Sequence, residues 1–213
     1  MPARVSEAFV LRTYPFQEGD LIVGFFTRDQ GRLRGVAKRA RRPKSQFGSA
    51  LERMSEVRIS YHQKETLELV RIDAADLVQS QFGLAGCYEA GVALDFIAEV
   101  SDHLLPPAEP NERFYRLLAA VLADLRASRE SGVWRVATYF TYWAVRLSGF
   151  LPALRVSEES QALASAMAKA PISEFAGFNW TRDTAADLRR QLTRELESHL
   201  DRRLASLPLM EAL

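Results

Sequence analysis

Between Arg28 and Lys44 the chain carries eight cations, Arg28, Arg32, Arg34, Lys38, Arg39, Arg41, Arg42 and Lys44, with Asp29 the only acid among them. Guanidinium and ammonium groups at this density attract phosphate, and each phosphate they neutralise releases condensed counterions. Arginine adds stacking on exposed bases. Pro43 restricts the backbone in the middle of the run and keeps regular helix away from it. The segment reads as a polyanion site, with Arg32, Arg34, Lys38, Arg39, Arg41, Arg42 and Lys44 as its contacts. The plain alternative is a solvated charge run that aids solubility. One acid in seventeen positions is not the mixed surface that this alternative describes.

Overall charge conceals the feature. The 213 residues hold 28 Lys and Arg against 27 Asp and Glu, a net +1. Residues 1–80 have 14 cations to 10 acids, and residues 81–213 have 14 to 17. A near-neutral chain with one strongly basic segment points to a local polyanion partner.

Groupings that could catalyse are absent or weak. There is no phosphate-cradling Gly-rich loop followed by Lys-Ser/Thr, no Gly-x-Ser-x-Gly elbow and no His-Glu-x-x-His pair. Asp73 and Asp76 could be read as a metal pair, but a solvated strand end is the simpler account. Asp102 beside His103 reads as a polar helix terminus near a Pro-Pro breaker. Cys87 is the one cysteine, read as a small buried hydrophobe on an apolar helix face. His62, His103 and His199 lie far apart without ligand spacing. A nuclease would need clustered carboxylates around a divalent ion. The expectation is therefore a protein that is not an enzyme and carries no metal or cofactor.

A second candidate surface lies in the later half. Arg135, Tyr139, Trp143 and Arg146 fall at helical spacing. Such aromatics usually belong to a core. A groove with an apolar floor and arginine at its rim can instead take an acidic, apolar partner peptide.

Two kinds of element must position these residues. Leu21-Ile22-Val23-Gly24-Phe25-Phe26-Thr27 has the β-branched and aromatic content of a buried strand, and Arg28-Asp29-Gln30-Gly31 is a hairpin turn. The return strand runs from Arg32 to about Arg39. Val57, Ile59 and Tyr61 alternate with polar residues, and Leu67, Leu69 and Ile72 mark another strand beyond the turn Gln63-Lys64-Glu65. Ala8-Phe9-Val10-Leu11 is the first, short strand, closed by turn signals at Tyr14-Pro15 and Glu18-Gly19-Asp20. Phe9 and one of Phe25 and Phe26 are expected in the core; Tyr14, Phe16 and Phe47 are expected to be exposed. About five short strands and one long basic connection suit a small barrel, either an OB-fold or an SH3-like barrel.

From Phe82 the period becomes helical. One apolar stripe runs through Leu84, Tyr88, Val92 and Phe96 to the breaker at Leu105–Pro110. Asn111 caps the next helix, Trp134–Leu147 is a nearly all-apolar central helix, Ser157 opens a short one, and Asp183–Leu204 is the last. The fold class is therefore α+β multidomain: an N-terminal small β-barrel over residues 1–80 and an all-α helical domain over 81–213, divided near Ser80 to Gly83. Hydrophobic residues make up 47% and charged residues 26% of the chain, an ordinary globular balance. No apolar run approaches a membrane span, so no membrane partner is expected. The single thiol, and a start that does not read as a secretory signal, set the expected location in the cytoplasm.

The sequence resembles the RecO family of bacterial recombination mediators. The residues that carry the resemblance are Ala8-Phe9-Val10-Leu11-Arg12, Glu18-Gly19-Asp20-Leu21 and Phe26-Thr27-Arg28-Asp29-Gln30-Gly31-Arg32-Leu33. The most specific stretch is Val36 to Ser45 with Phe47-Gly48, Ala50 and Leu51. Looser matches lie at Leu104-Leu105-Pro106, Leu147-Ser148-Gly149-Phe150 and after Leu188. The resemblance implies an OB-fold followed by a helical domain. It implies binding of single- and double-stranded DNA, annealing of complementary strands, and, with RecR, assistance in loading RecA on DNA coated by single-strand binding protein. It also implies a nucleoid-associated place in the cytoplasm and a site for the acidic tail of the coating protein. Two departures stand out. Many members carry a four-cysteine zinc motif after the helix that here ends at Phe150, and this chain has no cysteine there. Members commonly place two arginines before the Phe of the central helix, where this chain has Thr138 and Tyr139 before Phe140. Arg135 or Arg146 is the expected substitute. The competing reading is a protein-interaction adaptor whose basic barrel loop binds an acidic protein partner.

Overall fold

The computed structural model describes residues 3–63 and 68–213. Among these residues five strands come first: β1 (Arg4–Phe16), β2 (Asp20–Thr27), β3 (Gly31–Ala37), β4 (Glu56–His62) and β5 (Val70–Gln79). They close in the order β1-β2-β3-β5-β4, with β4 returning to β1. β3 and β5 pair in parallel, and the other four strand pairings described are antiparallel. This order and closure are those of an OB-fold, which settles the choice between barrels. Among the described residues six α-helices follow: α1 (Tyr88–Leu104), α2 (Glu112–Ser128), α3 (Val133–Leu147), α4 (Glu158–Met167), α5 (Ala186–Leu200) and α6 (Leu207–Glu211). None of them is long and apolar enough to cross a membrane.

The chain divides into two compact units, Met1–Gly83 with Ala98–Tyr115, and Leu84–Ile97 with Arg116–Leu213. The switch from strand to helix falls between Gln79 and Phe82. The compact units are partitioned otherwise, because residues 98–115 pack with the barrel.

Inside the barrel, alternate residues of each strand form one apolar core: Val10 of β1, Val23 and Phe25 of β2, Leu33 and Ala37 of β3, Val57, Ile59 and Tyr61 of β4, Val70 and Ile72 of β5. Two glycines permit close approaches, one to the segment after α1 and one where the barrel closes. Gly31 takes φ +74 at the β2–β3 turn, and a Cβ there would stand 2.2 Å from the backbone oxygen of Glu109. A Cβ on Gly35 would lie 2.7 Å from Val70 Cγ2, where β3 meets β5. β1 is longer than its apolar run predicts. Tyr14 and Pro15 continue it, paired with Ile22 and Leu21, and the chain reverses only at Gln17 with φ 48. Phe25 and Phe26 are both buried, on opposite faces. Phe25 points into the barrel core. Phe26 lies outside it against Phe114 and Tyr115, 6.1 Å between ring centroids in each case. The expected markers Lys64, Glu65 and Leu67 lie outside the described residues.

In the helical unit, α3 is buried on most sides, as its composition predicts. Asn111 Oδ1 accepts from the Phe114 N–H at the start of α2, and Ser157 caps α4 through the Ser160 N–H. α5 is shorter than its leucine spacing predicts and is not the last helix, since α6 follows it. It stops where Asp201 turns left-handed at φ 49, and Leu204 is buried beyond it.

Candidate nucleic-acid interface

The basic connection between β3 and β4, residues 38–55, is an ordered chain of turns. Arg39 N donates to Asp20 Oδ1 at 2.7 Å and Arg41 N to Gly19 O at 3.0 Å, which ties the start of the loop to the β1–β2 turn. Further on, Ser45 N bonds to Arg42 O and Ala50 N to Phe47 O. Phe47, Ala50 and Leu51 insert into the barrel core, and Met54 is fully buried. Phe47 is only 3% exposed, so the expectation of an exposed ring there is corrected. Its burial anchors the loop, while Gln46 Nε2 donates to Asp73 O at 2.6 Å on the same side.

On this scaffold Arg34, Lys38, Arg39, Arg41, Arg42 and Lys44 are all exposed. Among the described residues none of these six side chains forms an ion pair. Left-handed backbone at Arg39 (φ 57) and Lys44 (φ 61) sharpens the turns that hold them out. The stem of Arg42 lies over Gly19, 3.5 Å from where a Cβ would be.

Arg32 differs from its neighbours and is corrected. Its Nε donates to Leu105 O at 2.8 Å, its Nη1 sits 3.4 Å from Asp102 Oδ1, and its backbone oxygen accepts from the Ala108 N–H at 2.9 Å. It fastens the proline-rich segment after α1 to β3 and is not free for a phosphate. Arg28 is likewise paired, with Glu112 at 2.9 Å and Glu7 at 3.4 Å.

The four residues of the second candidate do not form a groove. Arg135 is buried, and its Nε and Nη2 both donate to Asp124 Oδ2, at 2.9 and 2.7 Å. Tyr139 is 8% exposed and its hydroxyl donates to Ala170 O. Trp143 Nε1 donates to Met167 O. Arg146 alone remains exposed, its Nη1 on the Tyr142 hydroxyl at 2.9 Å and its guanidinium 5.0 Å from the Trp143 ring centroid. The segment that carries these carbonyls lies over the aromatics, leaving Tyr139 buried and Trp143 half-buried.

A cavity of about 270 Å³ lies instead on the neighbouring face of α3. Phe96, Trp134, Ala137 and Met210 give it apolar walls, Arg182 before α5 and Arg189 and Arg190 on it bring cations, and Asp183 and Glu211 bring two acids to the same lining. The Arg189 guanidinium stands 4.5 Å over the Trp134 ring. Its Nη1 donates to Thr138 Oγ1 at 2.9 Å and its Nη2 to Arg182 O. Burial, with the nearby Arg190 charge, pulls its pKa down to about 10. The sequence reading missed Arg189. The signal was its position three residues before Leu192 and seven before Leu196, on the flank of a buried stripe.

The remaining motifs are structural. Asp73 pairs with Arg71 at 2.9 Å and His62 at 3.0 Å, and among the described residues no group of three or more possible ligands could hold a metal. Cys87 precedes α1, half-buried, with its thiol toward Glu89 Oε2 at 3.5 Å, so it is not on an apolar helix face.

Two family models match the chain. One, described as Recombination protein O N terminal, covers residues 1–81, and one described as Recombination protein O C terminal covers 88–156. The DNA repair protein RecO of Koribacter versatilis is 39% identical over 242 residues, 98% of each chain. The DNA repair protein RecO of Syntrophobacter fumaroxidans is 33% identical over 150 residues, 70% of this chain and 58% of the relative. That of Bifidobacterium animalis subsp. lactis is 39% identical over 121 residues, 56% of this chain and 50% of the relative. Against these last two the match spans between half and three-fifths of the relatives' length. With both family models in chain order and one relative matched over nearly its whole length, the chain belongs to the RecO family of DNA repair proteins.

Proposed function

We propose that in recombinational repair this chain acts without catalysis as a DNA-binding mediator. It holds single- and double-stranded DNA, anneals complementary strands and, with RecR, assists RecA loading on DNA coated by single-strand binding protein, in association with the nucleoid. One observation carries the reading: six exposed cations, Arg34, Lys38, Arg39, Arg41, Arg42 and Lys44, stand without ion pairs among the described residues on a loop anchored in a barrel core. Two phosphate backbones repel each other. A fixed cationic surface offsets that repulsion and lets complementary bases sample pairing, so the protein supplies electrostatics and base pairing supplies the sequence specificity. The test is annealing of complementary oligonucleotides, bare and coated with single-strand binding protein. Acceleration of both supports the mediator. Failure on both, together with a nuclease-resistant complex with an acidic protein, supports the adaptor.

A partner site for the acidic tail of the coating protein fits the α3–α5 cavity better than the four residues first expected. Its support is the pairing of apolar walls with Arg182, Arg189 and Arg190, three cations against the two acids Asp183 and Glu211. Arg189 reaches Thr138 from α5 and so brings a cation to one of the two positions where relatives commonly carry their own. Arg182 and Arg190 are exposed. Changing both to Ala is expected to weaken binding of an acidic, apolar peptide about tenfold or more without lowering stability. Unchanged affinity refutes this site.

A further inference from the structure

One wall of the α3–α5 cavity differs from the rest. Phe96 comes from α1, Trp134 and Ala137 from α3, and Arg189 and Arg190 from α5, helices of 15 to 17 residues. Leu207, Met210 and Glu211 come from α6, which has 5 residues. A helix that short is not stable by itself in water. It has Pro208 in its first turn and no side-chain bond at its N-cap, Ser206. Met210 is the residue of α6 that is buried, while Leu207 is half-buried and Leu209 and Glu211 are exposed. The Glu211 carboxylate forms no ion pair among the described residues. The chain before α6 is held differently: Leu204 is buried, and its N–H donates to Glu197 Oε1 at 2.9 Å. Leu204 therefore stays fixed to α5, and within α6 the hold on the cavity is the Met210 side chain.

Volume and charge both put α6 where a ligand would lie. Pockets that enclose drug-sized ligands measure about 300–1,000 Å³. At about 270 Å³ the cavity takes one or two side chains and not a peptide segment. Lifting Met210 and the backbone of α6 away extends it. With α6 in place, Arg182, Arg189 and Arg190 share the lining with Asp183 and Glu211; without α6 they share it with Asp183 alone. The segment also offers the cavity what an acidic, apolar peptide would offer, leucine and methionine side chains beside a carboxylate.

We propose that α6 is a lid on this cavity, a ligand carried on the same chain that an acidic, apolar partner segment must displace. The proposal rests on the reading of the cavity as that partner's site and adds its regulation. Affinity in the intact chain is lowered in proportion to the fraction of molecules whose lid is open. Anything that draws α6 away raises it.

The test measures binding of a fluorescein-labelled peptide, Asp-Asp-Asp-Leu-Met-Leu, by anisotropy. A variant lacking residues 206–213 is expected to bind it about tenfold more tightly than the intact chain, as for a lid open in about one molecule in ten. Met210→Gln keeps the length of the side chain but makes its burial unfavourable. In the full-length chain it is expected to tighten binding about threefold, so the result does not depend on the shortened chain folding. A further readout needs no variant. The N–H groups of Met210, Ala212 and Leu213 bond to Ser206 O, Pro208 O and Met210 O. In the unaltered protein their protection from hydrogen exchange is expected to fall when the peptide is added. A permanent wall predicts the opposite: weaker binding without residues 206–213, and more protection on binding. Unchanged or weaker binding in the variants, or protection at these amides that holds or rises, overturns the lid and leaves the peptide site standing. A peptide that binds neither the intact chain nor the variants overturns the acidic-peptide reading of the cavity, and the lid with it.

Discussion

Arg32 Nη1 lies 3.4 Å from Asp102 Oδ1, and this pair removes from the basic segment a cation that composition counts with the rest. Arg34 is two residues along the same strand, on the same face, and is exposed. The difference is what covers the strand: residues 105–108 lie along Arg32 and stop short of Arg34.

The first prediction follows. Arg32→Ala strips a partly buried carboxylate and a carbonyl of their donor. It is expected to destabilise by about 1–3 kcal/mol in urea unfolding while changing DNA affinity less than about twofold. Arg34→Ala is expected to do the reverse.

The buried pair Arg135–Asp124 makes the same distinction in the helical unit. Both side chains are at most 10% exposed. Arg135→Ala leaves an uncompensated carboxylate and is expected to cost about 3–5 kcal/mol. Peptide binding in the folded fraction, read by calorimetry, is expected to be unchanged.

Phe47→Ala tests the scaffold without removing a charge. Emptying a core position costs about 3–5 kcal/mol. Because the ring anchors the cationic loop, DNA affinity should also fall, with the net charge unaltered. Full affinity in the folded variant would separate the loop's position from its function.

Asp187 joins α4 to α5 and carries a pH dependence. Burial opposes its charge, but the Ser157 N–H at 2.7 Å, the Ser160 hydroxyl at 2.5 Å and the Leu188 N–H at 2.9 Å outweigh burial and hold its pKa at about 2. A carboxylate depressed in the folded state stabilises above its unfolded pKa, and that stability is lost as pH falls from about 4 toward 2. The side chain is half-buried and still screened by solvent, so Asp187→Ala is expected to cost only about 1 kcal/mol at pH 7. The gap between parent and variant should narrow below about pH 4 in urea titrations. A gap independent of pH would contradict the assignment.

Much of the barrel was legible because its strands bury one face and alternate. The first strand was not, since Tyr14 and Pro15 carry turn propensities that pairing with β2 overrides. Phe47 was misread as exposed because it neighbours a charge run. Its partners Ala50, Leu51 and Met54 follow at three, four and seven residues, the spacing of a one-sided apolar anchor, and that signal was available. The exposed cations from Arg34 to Lys44 were legible as a cluster. Which arginine is consumed by a carboxylate was not, because Asp102 and Asp124 approach Arg32 and Arg135 only through tertiary packing.

The central claim, that the cations of the barrel's basic segment neutralise DNA phosphates, is tested most directly by single-strand affinity measured across a range of salt concentration. With six cations engaged, log K against log salt should fall with a slope of roughly −4 in the unaltered protein. Changing Lys38, Arg39, Arg41, Arg42 and Lys44 to Ala should leave a folded protein with a slope of about −1 or shallower. A folded variant that keeps both the affinity and the slope of the parent would contradict the account.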